Sequence, residues 1–322
     1  MGLKMFDVVG IDLSCVDLNV VINRYPEAGR GESVRQMSWQ GGGKVATGMA
    51  ACSRLGAKCA MMGRVGDDIF GNFILNDLVL HGVDVSAMKT VKNGESPLSI
   101  VMSDIESGSR TIFFNPGNAS DYSLADADLT TLRSAKYFFI SRGGGATEEA
   151  VNIAREAGVK IFIDADGHSD EIVKMFPKID VFVGSEFFYD KMFNNGDYEK
   201  NCREIMEAGP EIVVFTFGDR GCAGVGRDGY FKLPAFKIDT VDTVGAGDVY
   251  HGAFLAGLLR GYSAEETARF ASGAAAIKCT RIGGRAGIPD IDTLLNFLAG
   301  KGIDYTEIDK RVEFYKRGLE NV

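Results

Sequence analysis

Histidine is scarce in this sequence and cysteine is never paired. The 322 residues include 3 histidines and 6 cysteines. His81, His168 and His251 have no metal-ligand spacing. Cys15, Cys52, Cys59, Cys202, Cys222 and Cys279 are scattered, with no C-x-x-C pair. They read as reduced, mostly buried thiols of a cytoplasmic protein, not as a disulfide or zinc framework. Positive charge is also in deficit: 35 Lys and Arg stand against 44 Asp and Glu, a net charge of −9. That balance argues against nucleic acid or an anionic membrane as the main partner. No apolar stretch is long enough to span a bilayer. The N-terminus has no basic region leading into an apolar run and a cleavage site, so no signal peptide is expected. Repeats, low-complexity tracts and a linker between two halves are missing as well. The expectation is a single domain over 1–322.

What is present is an ordinary globular composition, 45% hydrophobic and 25% charged. From about residue 125 apolar runs alternate with helical patterns. Strands are predicted at 135–140, 159–164, 180–183 and 211–216, with helices at 146–157 and 197–208. Strands that are apolar throughout predict a mainly parallel sheet covered by helices on both faces, a three-layer α/β/α arrangement. An earlier strand falls at 5–11 and a hairpin at 222–226 and 230–233. Helices are expected at 247–260, 264–281 and 289–298, with a weakly amphipathic helical tail at 303–322. The β-rich insertions at about 13–40 and 94–115 predict a small separate sheet. Gly224-Val-Gly226-Arg-Asp-Gly229 matches the dinucleotide pattern, but an extended segment follows it where that fold needs a helix.

Two Gly-rich turns stand at predicted helix starts. One is Gln40-Gly41-Gly42-Gly43-Lys44, before a helix over about 45–55. The other is Asp242-Thr-Val-Gly245-Ala246-Gly247-Asp248, after an extended segment at 236–241. Free N–H groups and the positive end of a helix make such a turn an anion site. A carboxylate at 248 is an odd neighbour for phosphate alone. It suits either a helix N-cap or a base acting on a hydroxyl beside that phosphate, and the local pattern leaves both open. His251, one turn further on, reads as a helper of Asp248 or as a helix-face residue. In a parallel sheet ligands sit beyond the strand C-termini. That singles out Asp12, Asp17, Arg142, Asp164, Asp166, Ser185, Glu186, Thr216 and Gly218.

These residues resemble a known family. Asp242 to Asp248 is similar to the C-terminal signature of the PfkB, ribokinase-like sugar kinases. Gln40-Gly-Gly-Gly-Lys-Val-Ala-Thr47, followed by Gly63-Arg-Val-Gly-Asp-Asp68, is similar to the N-terminal one. The stretch 274–289 is particularly similar to ketose-type members. The resemblance covers roughly 5–300. It implies ATP-dependent phosphorylation of a sugar hydroxyl, a ketose or related small carbohydrate, with Mg²⁺ accompanying ATP. By that resemblance Asp248 is the base, and the N–H groups around Gly245, Ala246 and Gly247 form the anion hole. Asp17, Gly42, Gly43, Lys44, Thr47 and Arg142 would line the sugar site. Thr216, Gly218, Gly221, Thr243 and Cys279 would flank ATP. Asp242 and the Gly283-Gly284 loop resemble a monovalent-cation (K⁺) site. The two insertions would form a lid that also carries a homodimer contact. Members commonly carry Asn-x-x-Glu where this chain has Ser185-Glu186-Phe187-Phe188, which leaves only Glu186 as a Mg²⁺ candidate. Glu32 counts against an anionic sugar, whereas Lys44 and Arg142 count for one. A nucleoside kinase of the same fold, or a non-catalytic sugar- or nucleotide-binding regulator, stands as the alternative.

Overall fold

A computed structural model describes residues 5–119, 122–193 and 195–321, so the first four residues and the last of the expected span lie outside the described residues. The chain opens with β1 (Phe6–Ile11), β2 (Cys15–Ile22), β3 (Val34–Gly42), α1 (Lys44–Arg54), β4 (Cys59–Gly66) and α2 (Ile69–Leu80). It continues through β5 (Met88–Val91), β6 (Leu98–Asp104), β7 (Arg110–Asn115), α3 (Leu129–Arg133), β8 (Ala135–Ile140), α4 (Gly145–Glu156) and β9 (Lys160–Ala165). Then come α5 (Asp170–Lys174), β10 (Val181–Ser185), α6 (Glu186–Met192), α7 (Tyr198–Glu207) and β11 (Ile212–Thr216). The rest is β12 (Cys222–Gly226), β13 (Gly229–Leu233), α8 (Ala246–Leu259), α9 (Ala264–Lys278), α10 (Ile291–Leu298) and α11 (Thr306–Lys316).

Nine strands form one sheet in the order β13-β12-β11-β10-β9-β8-β1-β4-β5. It is parallel except for the β12–β13 hairpin at one edge. Successive residues of a strand point to opposite faces, and β1 feeds two cores that way. Val8 joins α1, α8 and α9 on one face, and Val9 joins α4 and α7 on the other. The strand order reverses between β1 and β8, and there the carboxyl ends of the two strands open side by side.

The two insertions form a separate sheet of four strands, ordered β3-β2-β6-β7. Its register sorts side chains onto two faces. Asp17, Gln40, Ser99 and Phe114 lie in one row, with Val101, Ile112 and Arg110 further along that face. Trp39, Leu18, Ile100 and Phe113 lie in a row on the other.

Three expectations shift. The strand at β3 runs through Gly41 and Gly42, so only Gly43, at φ 95°, turns the chain into α1. The segment 236–241 joins no sheet. The tail at 303–322 is helical over α11 and is not merely a surface helix, because Ile308, Arg311 and Tyr315 are buried.

Candidate functional site

The N-termini of α1 and α8 are brought together by missing side chains. Gly48 of α1 and Gly252 of α8 pack so closely that a Cβ on Gly252 would collide with the Gly48 backbone. Lys44 and Asp248, each in the first turn of its helix, therefore face the same space beside the end of β1. Gly245 is the N-cap of α8, in the left-handed region at φ 72°, a conformation that glycine adopts without a Cβ penalty. A Cβ there would also stand 2.7 Å from Gly284. Asp248 is thus a first-turn residue of α8 and not its cap, which leaves its carboxylate available to the cleft.

The electrostatics around Asp248 are unusual. Burial pushes its carboxyl well above the ordinary Asp range, and the charge of Asp164 pushes the same way. Lys44 partly offsets this, and Asp166 and Asp17 add to it. Lys44 donates to Asp166 at 2.7 Å. Burial alone would lower its pKa, but Asp164 and Asp166 outweigh burial and the net shift is upward. Asp17 is also raised by burial, with Cys15 and the charge of Arg285 working against the rise. Gly42 lies so close to the Asp17 carboxylate that a Cβ there would strike it.

Behind these groups sits a buried pair. The side chain of Asp164 is 1% exposed, and neither of its oxygens has a hydrogen-bond partner. His251 Nδ1 stands 3.4 Å from its Oδ2 and 2.6 Å from the Gly247 carbonyl. His251 Nε2 faces the Val183 carbonyl at 3.3 Å. Every atom facing the ring nitrogens is an acceptor, so the ring ties the first turn of α8 to the sheet.

The Gly-rich loop at 282–286 is clamped by side chains that the sequence did not single out. Gln40 Nε2 donates to the Ile282 carbonyl at 2.8 Å, and Gln40 Oε1 accepts from the N–H groups of Arg285 (2.8 Å) and Ala286 (2.9 Å). Arg285 is fully buried. It pairs with Asp77, donates to the Gly42 carbonyl at 2.9 Å and reaches Thr47 Oγ1 at 3.3 Å. Tyr315 of α11 donates to the other Asp77 oxygen at 2.5 Å and bonds His81 Nε2 at 2.8 Å. The tail, which carried no readable signal, therefore reaches the turn at 41–43 through Asp77 and Arg285.

Other candidates divide. Arg142 lies at the strand switch, but its guanidinium is held by Asp12 at 2.6 Å, and Ser141 binds the same carboxylate at 2.5 Å. Glu186 is engaged by Arg220. Thr216 Oγ1 donates to the Gly184 carbonyl at 3.4 Å. Gly218 and Gly221 shape the turn after β11, where a Cβ on Gly221 would collide with the Leu233 carbonyl. The Cys279 thiol is buried, and its carbonyl accepts from the N–H groups of Val241 and Asp242. Thr243 Oγ1 receives Arg110 from β7 at 3.3 Å, so the small sheet reaches the Gly-rich loop. Arg110, Lys278 and Arg285 were missed. The available signals were a lysine in an Ala-rich run at 274–278 and an arginine inside a glycine cluster at 283–287.

A parallel α/β sheet, a glycine-rich helix N-terminus and an adjacent carboxylate suit group transfer at a phosphate. The pfkB family carbohydrate kinase pattern matches residues 5–291, and the chain belongs to that family. It is similar to 5-dehydro-2-deoxygluconokinase of Clostridium perfringens, at 26% identity over 96% of this chain and 97% of that one. It is also similar to ketohexokinase of Mus musculus, at 26% identity over 84% of this chain and 95% of that one. A ribokinase II of E. coli solved with ATP and Mg²⁺ has the same fold, with a TM-score of 0.82 at 20% identity over 92% of this chain and 100% of that one. The chain is an ATP-dependent sugar kinase with the ribokinase-like α/β fold.

Proposed function

We propose that this kinase transfers the terminal phosphoryl group of ATP to a hydroxyl of a ketose or related small carbohydrate, with Asp248 as the base. The observation that carries this reading is the environment of Asp248. Its carboxylate stands beside the N-terminus of α8, and its proton affinity is raised by burial and by Asp164. A raised affinity is what a base needs to accept a hydroxyl proton near neutral pH. The N–H groups at Gly245 and Gly247 then meet the charge that develops on the transferred group, whereas that of Ala246 is spent on the Thr243 carbonyl at 3.1 Å and joins them only by leaving it. Asp17, Gly42, Gly43, Lys44, Thr47 and Arg142 hold the sugar. Thr216, Gly218, Gly221, Thr243 and Cys279 flank the nucleotide. Mg²⁺ would enter with ATP and needs few protein ligands, and Glu186 would meet it with one carboxylate oxygen already engaged by Arg220.

Lys44 and Arg142 each already face a carboxylate. An anionic acceptor would have to draw both away, whereas a neutral polyhydroxylated one needs no such exchange. The monovalent-cation site suggested at Asp242 fits poorly. Its carbonyl accepts from Lys278, Oδ1 from the Val244 N–H and Oδ2 from the Gly283 N–H. No step is therefore assigned to K⁺.

The small sheet serves as the lid, with the Asp17 and Arg110 face toward the cleft. The opposite face carries Met37 (49% exposed) and Phe113 (54% exposed) and docks a second copy of the chain. No helix among the described residues is long and apolar enough to cross a membrane, and the enzyme works in the cytoplasm.

The test is sugar-dependent ADP release with fructose, ribose, tagatose, sulfofructose, 5-dehydro-2-deoxygluconate and nucleosides. Asp248→Asn is expected to lower kcat by at least about 10²–10⁴-fold while ATP binding persists. Near-normal turnover in that variant would remove Asp248 from the mechanism, and a response to nucleosides alone would move the acceptor class.

A further inference from the structure

We infer that Lys278 is a built-in monovalent cation, its ammonium serving the Asp242 loop in place of a bound K⁺ ion. Lys278 ends α9 and is fully buried. Its Nζ donates to the Asp242 carbonyl at 2.8 Å. The surrounding loops leave little for another ion to bind. The Asp242 carboxylate is spent on the N–H groups of Val244 and Gly283, and the Cys279 carbonyl is spent on Val241 and Asp242.

The need for a cation here follows from charge. Asp242 pins both loops that meet at Gly245 and Gly284, so it cannot be dispensed with. Yet it places a buried negative charge behind the N–H groups that receive phosphate. An uncompensated anion there would repel the phosphoryl oxygens and would itself be costly to bury. The Lys278 ammonium is a compact point charge with three donors, held by the chain at the end of a helix whose C-terminus favours positive charge. A second cation would meet it as a like charge.

Burial lowers the pKa of Lys278, and Asp242, Cys279 and Asp248 pull it back up, while Arg110 adds to the fall. The net shift is downward, and the contact that places Nζ here is its bond to the Asp242 carbonyl.

The inference deepens the kinase reading and rests on it only for the consequence to turnover. The full-length enzyme is melted, and its Mg·ADP affinity measured, in potassium chloride and in tetramethylammonium chloride. The wild type is expected to show the same Tm in both salts and an affinity within about twofold. Lys278→Ala is expected to lose affinity in tetramethylammonium and to recover it in K⁺ or methylammonium. Lys278→Met, which fills the same space without charge, is not rescued. A Tm or affinity of the wild type that rises clearly with K⁺ overturns the inference, as does equal behaviour of the Ala and Met variants. If neither variant folds, the wild-type pair of salts decides. The Tm readout uses no nucleotide, so it stands even if the sugar-kinase assignment fails.

Discussion

Behind the N-terminus of α8, Asp242, Lys278 and Arg285 are buried and hydrogen-bonded, whereas all six residues of β7 are exposed. The first region is fixed before any ligand arrives, by polar groups that have no water to fall back on. The second offers Ile112, Phe113 and Phe114 to solvent, and touches the Gly-rich loop through Arg110 and Thr243. On the proposed reading, the difference separates the handling of the two reactants. Phosphoryl transfer needs donors that do not reorganise. An acceptor must enter and leave, so its cover has to remain open.

The sharpest way to break the contrast is at Arg285. Arg285→Ala leaves Asp77 buried without its cation and frees the Gly42 carbonyl. Unfolding in urea is expected to show a loss of about 3–5 kcal/mol, with sugar KM rising in whatever protein remains folded. Gly42→Ala tests the same wall from the sugar side. The new methyl meets the Asp17 carboxylate, and a cost of about 1–3 kcal/mol is expected, together with a raised sugar KM and an unchanged ATP KM.

Asp248 gives a smaller effect on stability and a sign that discriminates. Its carboxyl holds a proton more tightly folded than unfolded. Stability is therefore lost as pH rises from the unfolded value through the folded one, a penalty carried by the charged carboxylate. Asp248→Asn removes it, so Tm at neutral pH is expected to rise by a few degrees even as turnover collapses. In the wild type, kcat/KM should fall on acidification at a pH above the ordinary Asp range. A drop in Tm for the Asn variant would show that Asp248 is chiefly structural.

The smallest effect on stability belongs to the open sheet. Phe113→Asp lies on the face away from Asp17 and is expected to change protomer stability by less than about 0.5 kcal/mol. Sedimentation should nevertheless report monomers where the wild type gives dimers. A wild type that sediments as a monomer would break the proposed pairing.

Much of this fold was legible because its signals are local. Apolar runs gave β8 to β11, and the glycine turns gave the starts of α1 and α8. The hairpin of β6 and β7 followed from the turn between them. What stayed hidden depends on distance along the chain. Arg285 and Asp77 are 208 residues apart, and Gln40 and Ile282 are 242 apart. No periodicity links such pairs. The strand through Gly41 and Gly42 was read as a turn because glycine usually breaks strands; here the crowding of Arg285 and Asp17 demands it. The tail was read as uninformative because its buried face has only a few residues, of which Tyr315 matters through one hydroxyl.

That hydroxyl lies beyond the family pattern. The family pattern stops at residue 291, and both helix turns that carry the motifs lie before it. A fragment cut there would keep every signature by which the protein is recognised. It would lose Tyr315 from Asp77, and Arg311 from the carbonyls of Ala286 and Ile288. The family pattern and the packed unit thus differ in length, and the last helix is a packing element that the pattern leaves out.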